Sequence, residues 1–361
     1  MTEKPRSTNL FLIGGIWDII FWKAVAYTTT QLLSGDCLIF SKAFNQSKVE
    51  EIKKFAISIG LSPLPDHYSC PKDINKLHKY DTIYTIHLAD SFIRKICTHF
   101  DNAKLVIGFE GMGGYFPNIQ TQKLITRSFY YFHYSDLPVP AWVEGNPCTH
   151  ISAHDLRKSI SDITSKITTE PFKINSNTIL VLGQHFHRHG VISWQNEHDI
   201  YRDFIHAKVR QGFNIIWKEH PRNTPPFFSS LQANQPGSIF ELNFDPILAI
   251  ELWGPYLVGL EMAAGISSNS LFNLQYIFGI KAQSILSVET MARFRFDSLN
   301  KSALINLISL GHLNHDKRLP IEIITAALQK KIPESKPLKA TKSVGEKFKK
   351  IFSIIKLDSF K

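Results

Sequence analysis

The stretch AKLVIGFEGMGGYFP, Ala103 to Pro117, decides how this chain is read. Its first part, KLVIGF, has the length and composition of one buried strand, and Glu110, Gly111, Gly113 and Gly114 follow at once. Glycines in that position let the backbone turn sharply beside a ligand, and loops that follow strands carry a disproportionate share of binding residues. Taken alone, Glu110 is as readily a turn acid or a helix N-cap as a carboxylate held at a site.

Outward from this strand, the first 160 residues alternate short apolar runs with amphipathic ones: NLFLIGG, DIIFWKAVAYTTTQLL, CLIFS, KVEEIKKFAISIG, DTIYTIHL and DSFIRKICTHF. Apolar runs of about five to seven residues alternating with helical patterns of about 10–15 predict βαβ units and a parallel sheet. The style repeats after the polar passage DITSKITTEPFKINSN, 162–177, in TILVLG, DIYRDFIHAKVRQG, FNIIWKEHP and SLFNLQYIFG. The reading is an α/β chain of two Rossmann-like domains, 1–165 and 166–330, facing each other across a cleft, with a tail at 331–361. Ligands of open α/β sheets bind beyond the carboxyl ends of the strands, so the loops there are where chemistry is sought.

Composition narrows the function. With 43% apolar and 12% aromatic residues, the 361-residue chain has material for two cores of about 150 residues each. The net charge is +10, but Lys330–Lys361 holds ten lysines against Glu334, Glu346 and Asp358, which accounts for seven of those charges. A body so nearly balanced argues against a nucleic-acid groove. In the tail, Val344, Phe348, Ile351, Phe352 and Ile355 recur at helical spacing, with Lys347, Lys349, Lys350 and Lys356 largely off that face. Such a segment lies on an anionic membrane surface or packs on the protein body; the first reading makes the protein peripheral on the inner face of the cell membrane. Cys37, Cys70, Cys97 and Cys148 show no metal-type spacing, which reads as free thiols in a reducing compartment. The apolar N-terminal run NLFLIGGIWDIIFW is 14 residues long and broken by Asp18. A span needs roughly 20, so a cytoplasmic strand and helix are expected instead.

Three further post-strand loops carry candidate chemistry. In NIIWKEHPRNTPP, Pro221 ends the ladder so that His220 projects at a strand terminus, flanked by Lys218 and Arg222 in a positive setting suited to a phosphate. In AAGISSNSLFNLQ, Ser267, Ser268 and Ser270 open an amphipathic helix, whose first amides and hydroxyls suit an anion, although capping also uses such serines. In TILVLGQHFHRHG, Gln184 follows a buried strand and suits a base or ribose. His185, His187 and His189 alternate, so in an extended segment they point one way, yet no acid joins them and a metal is not expected. No Asp-x-Asp pair occurs anywhere, so leaving-group stabilisation without a divalent ion fits better.

With Phe109-Glu110-Gly111, His220-Pro221 and Ser267-Ser268 in this order, the chain resembles the bacterial sialyltransferases and polysialyltransferases that build capsules and lipooligosaccharides. The likeness runs from about Asn9 to Leu328 and includes IHLADSF before the acid motif and VLGQ at the start of the second half. It implies a GT-B fold and an inverting, metal-independent transfer of sialic acid or a related nonulosonic acid from a CMP-activated donor to a glycan acceptor. It also implies Glu110 as general base, His220 as the group on the departing CMP phosphate, and Ser267 and Ser268 as phosphate ligands at a helix start. This chain has Phe109 where the family motif begins with an acid. The polarity is also what the chemistry requires: cations and amides where negative charge gathers on phosphate, a carboxylate where the acceptor loses its proton. A CMP-Kdo or UDP-sugar enzyme of the same architecture, and a non-catalytic capsule-assembly protein, are the alternatives.

Overall fold

The computed structural model describes residues 8–40, 46–64, 74, 77–88, 90–109, 128–135, 137, 139–166, 174, 177–190, 192–220, 225–234, 239–241, 248–266, 268–285, 290 and 293–294. They form two compact units. The first comprises 1–173 with the returning segments 244–258 and 276–279; the second comprises 174–243, 259–275 and 280–361.

The first unit is built on a seven-stranded parallel sheet in the order β3-β2-β1-β4-β5-β6-β7. Its strands are β1 (Asn9–Ile13), β2 (Gly35–Ile39), β3 (Leu61–Pro63), β4 (Thr82–Thr85), β5 (Lys104–Gly108), β6 (Phe129–Tyr134) and β7 (Cys148–Ile151). Apolar runs become central strands here because both faces of a parallel sheet are covered by helices. Helix α1 (Ile16–Thr29) is apolar nearly all round and buries Ile19, Ile20, Phe21 and Trp22 completely. Helix α2 (Gln46–Ser58) follows β2. Helix α3 (Ser91–His99) starts where Asp90 accepts from the amides of Phe92 and Ile93, so IHLADSF is indeed a helix start. Helix α4 (Ala153–Thr164) is capped by Ser152 and packs on α1, where Ser159 Oγ donates to the carbonyl of Ile20 at 2.7 Å.

Order reverses between β1 and β4: β2 and β3 extend the sheet to one side of β1, β4 to β7 to the other. That reversal leaves a crevice at the carboxyl ends of β1 and β4. The returning segments are sewn to this unit by Thr164 Oγ1 donating to the carbonyl of Leu252 at 2.8 Å, and by Tyr276, whose hydroxyl donates to Ser135 O at 2.6 Å while its ring stacks on Tyr134.

The second unit has a five-stranded parallel sheet in the order β10-β9-β8-β11-β12. The strands are β8 (Thr178–Leu182), β9 (Asn214–Lys218), β10 (Ile239–Glu241), β11 (Met262–Gly265) and β12 (Ala282–Ser284). Helices α5 (Trp194–Arg210), α6 (Phe228–Asn234) and α7 (Asn269–Phe278) connect them. Its core gathers Ile179, Val181, Tyr201, Trp217 and Phe227, all fully buried. Here the order reverses between β8 and β11. Among the described residues no helix is long and apolar enough to cross a membrane. Cys37, Cys97 and Cys148 are free thiols, and burial pushes Cys37 up to about 12; Cys70 and the tail at 331–361 lie outside the described residues.

Candidate active site

In the second unit three loops leave neighbouring strands at the same edge. The loop after β8 begins with Gly183, whose amide donates to the carbonyl of Lys218, the last residue of β9. A Cβ at Gly183 would lie 2.8 Å from the Trp217 ring, so this close approach requires glycine. The two loops then meet: the imidazole of His185 lies on that of His220 with ring centroids 3.8 Å apart. Gln184, half-buried, directs its amide to Gly183 O at 3.3 Å, and Lys218 is half-buried at the end of β9.

His220 is braced from its own chain neighbour. Glu219, 8% exposed, accepts from Trp217 Nε1 at 3.1 Å, from Phe227 N at 2.8 Å and from Phe228 N at 3.2 Å. Its other oxygen accepts from His220 N at 3.3 Å. A single carboxylate thus ties the end of β9 to the start of α6 and offsets its own burial with several donors. At β11 the chain turns into α7, where Ser268 Oγ accepts from Ser270 N at 3.3 Å and Ser268 O accepts from Leu271 N at 3.0 Å. Ser268 caps the helix, and Ser270 lies half-buried in its first turn.

His185 and His187 do not act together. Phe186–His189 is a 3-10 turn rather than an extended segment. His187 turns inward, where Nδ1 meets Glu197 Oε2 at 2.7 Å and its amide donates to the same oxygen, while His185 goes to His220. Among the described residues no three His, Cys, Asp or Glu side chains gather closely enough to hold a metal ion.

In the first unit, Phe109 follows β5 and is wholly buried, edge-on to Tyr134 at 4.9 Å and tilted on His133 at 4.4 Å. The position at which the family motif begins with an acid is a core aromatic in this chain. Glu110, Gly111, Gly113 and Gly114 lie outside the described residues, as do Pro221, Arg222 and Ser267. The sequence motifs do not include Glu219, the stacking of His185 on His220, or the pair in which His87 Nε2 lies 3.0 Å from Asp18 Oδ1 at the carboxyl ends of β1 and β4. The available signal was an acid inside an apolar run, which helix packing alone does not call for.

Two units, each built on a doubly wound parallel sheet, are the GT-B architecture. The UDP-GlcNAc 2-epimerase of Methanocaldococcus jannaschii, solved with UDP-GlcNAc and UDP, shares this fold at TM-score 0.52 and 13% identity, over 96% of this chain and 99% of its own. A UDP-glucose:anthocyanidin 3-O-glucosyltransferase solved with UDP matches at TM-score 0.44 and 9% identity, over 98% of this chain and 100% of its own. A UDP-glucosyltransferase from Polygonum tinctorium gives 0.44 and 10%, over 98% and 99%. No curated protein sequence matches the chain significantly. A family profile described as Alpha-2,8-polysialyltransferase (POLYST) matches residues 9–287, and the chain belongs to that family. It is a glycosyltransferase of the sialyltransferase kind.

Proposed function

We propose that this protein transfers sialic acid, or a related nonulosonic acid, from a CMP-activated donor to a hydroxyl of a surface glycan, with inversion and without a divalent metal, forming the α2,8 linkage of its family's description. The observation that carries the reading is His220, held flat on His185 and braced through Glu219 at the carboxyl edge of β9. In the reaction the acceptor oxygen bonds to the anomeric carbon as the bond from that carbon to the phosphate oxygen breaks, its electron pair leaving with CMP. His220 donates a hydrogen bond or proton to that phosphate, supported by Lys218 and Arg222. Ser267, Ser268 and Ser270 offer hydroxyls and amides at the start of α7. Gln184 faces the nucleoside. Glu110, followed in the sequence by Gly111, Gly113 and Gly114, takes the acceptor proton. The missing Asp-x-Asp pair supports metal independence. The basic tail is read as the part that meets an anionic membrane.

Heat-denaturation of the full chain with CMP-Neu5Ac, CMP-Kdo and UDP-hexoses tests the donor, because a ligand bound only to the native state raises its stability. Protection by CMP-Neu5Ac is expected, and protection by a UDP-sugar alone would overturn the reading. Incubation with CMP-Neu5Ac and a glycan panel, read by mass spectrometry, tests transfer. Glu110→Gln and His220→Ala should each lower it by roughly 10²–10⁴-fold in a folded chain.

A further inference from the structure

In the second unit a carboxylate is buried outright beside the candidate site. Glu197 stands in the first turn of α5 with no exposure, yet it does not cap its own helix, where Ser193 Oγ accepts from Asn196 N at 3.1 Å. Its oxygens meet the loop after β8 instead. Oε1 accepts from Phe186 N at 3.0 Å, and Oε2 accepts from His187 N at 2.8 Å and lies 2.7 Å from His187 Nδ1. The first amides of a helical turn have no partner within it, so this carboxylate fills the place of a cap or a bound anion. A buried acid destabilises a fold unless it is paired, and this one is paired wholly with a turn that belongs to another element.

His187 closes the clamp. A carboxylate only accepts, so Nδ1 carries a hydrogen, and Nε2, protonated or not, is buried without a hydrogen-bond partner among the described residues. A buried polar atom left unmet makes the ring a poor choice for packing alone, and what it gains is the bond to Glu197. The turn in its grip carries the residue before it. His185 stands at the N-cap of Phe186–His189, its carbonyl accepts from Arg188 N at 3.1 Å, and its imidazole lies on that of His220 with centroids 3.8 Å apart. Glu219 holds His220 in a similar way, through its backbone amide. Each of the two stacked rings therefore leaves a stretch of backbone tied to a buried carboxylate.

We propose that Glu197 is a positioning residue for the transfer: by holding the first two amides of the Phe186–His189 turn and the ring of His187, it fixes His185 against His220 and so keeps His220 in the plane in which it meets the departing phosphate. This rests on the reading that His220 acts on that phosphate.

Steady-state kinetics and urea denaturation of the full chain decide it, with CMP-Neu5Ac as donor and an α2,8-linked oligosialic acid as acceptor. Glu197→Gln keeps the shape but turns one oxygen into a donor that faces the donors of the turn. Its kcat should fall roughly tenfold, the loss of orientation alone, with both KM values within about twofold of the wild type. In a His185→Ala chain the same substitution should lower kcat by less than about twofold further, because the orientation it supports is already gone, while the urea midpoint drops equally in both backgrounds. A carboxylate that only stabilised the unit would show no such dependence on His185. His187→Ala removes one of the three donors to Glu197 and carries the same comparison if Glu197→Gln does not fold. His187→Asn, whose amide donates from near the Nδ1 position, should recover most of that loss. An unchanged kcat in folded Glu197→Gln, or an equal fold-loss with and without His185, overturns the assignment of Glu197 alone. A wild-type chain that transfers nothing from CMP-Neu5Ac overturns the proposed function and this assignment with it.

Discussion

The imidazole of His185 lies on that of His220, ring centroids 3.8 Å apart and planes 27° from parallel. The first residue comes from the loop after β8 and the second from the loop after β9, so the contact fixes the orientation of His220 from a neighbouring strand. His220→Ala should therefore lower kcat by roughly 10²–10⁴-fold, the range for a group that acts on a developing charge or proton. His185→Ala removes only the orientation and should cost about tenfold, with His185→Phe recovering most of it because a flat ring is what the stack needs. Equal losses in the two alanine variants would show that His185 does more than hold its neighbour.

Glu219 reaches the same histidine through the backbone. Substitution by alanine leaves Trp217 Nε1, Phe227 N and Phe228 N without their common acceptor. Each buried donor left unpaired costs about 1–3 kcal/mol, so Glu219→Ala should lower the urea midpoint of the second unit as well as turnover. Glu219→Gln keeps one oxygen and should fall between the two. Turnover lost in Glu219→Ala with an unchanged urea midpoint would argue for a direct role of the carboxylate in the reaction instead.

How far the sequence could be read depended on which interactions were local. Runs such as FLI, KLVIG and TILVL announce β1, β5 and β8 because a strand covered on both faces is continuously apolar. The strand FYYFHY, β6, is buried just as well but carries tyrosines and a histidine, and among the described residues its link to β7 holds a 3-10 turn and no α-helix, so the alternation of strand and helix gives no notice of it. The polar passage at 162–177, which separates the two halves in the sequence, begins inside a helix, since Thr164 still belongs to α4 and its hydroxyl is bonded to Leu252 O. That His220 follows the end of β9 and Ser268 opens α7 was legible, because strand ends and caps are set by their own neighbours. The pairing of Asp18 with His87 was not, since 69 residues separate them and only the adjacency of β1 and β4 brings them together. The same holds for His185 and His220, which meet only because β8 and β9 are paired and their loops leave the same edge.

Phe109 offers a sharp test of the one departure from the family motif. Restoring an acid with Phe109→Asp would bury a carboxylate between Tyr134 and His133, at a position with no exposure. The expected outcome is a loss of about 3–5 kcal/mol in chemical denaturation, from the lost ring and the stranded charge together. Phe109→Leu should cost about 1–2 kcal/mol and leave activity intact. A stable and more active Phe109→Asp protein would mean that the first motif position, and not the second, carries the acceptor base.

His133 is wholly buried on β6, with Nδ1 bonded to Tyr134 O at 2.8 Å, and burial lowers its pKa from 6.5 to about 4. The folded chain therefore excludes a proton that the unfolded chain binds below 6.5. Stability contributed by the neutral ring is fully present above pH 6.5 and is lost as pH falls toward 4, at about 1.4 kcal/mol per pH unit and about 3 kcal/mol in all. Burial lowers His198 in the second unit as well, which adds a loss of the same sign. Urea denaturation of the first unit at pH 7 and pH 4.5 should show the loss for the unaltered chain. His133→Gln, which keeps a donor for Tyr134 O but does not titrate, should be less stable at pH 7 and should lose markedly less on acidification. If both proteins lose the same free energy between the two pH values, the buried imidazole is not the source of the acid sensitivity and carboxylates elsewhere in the unit are.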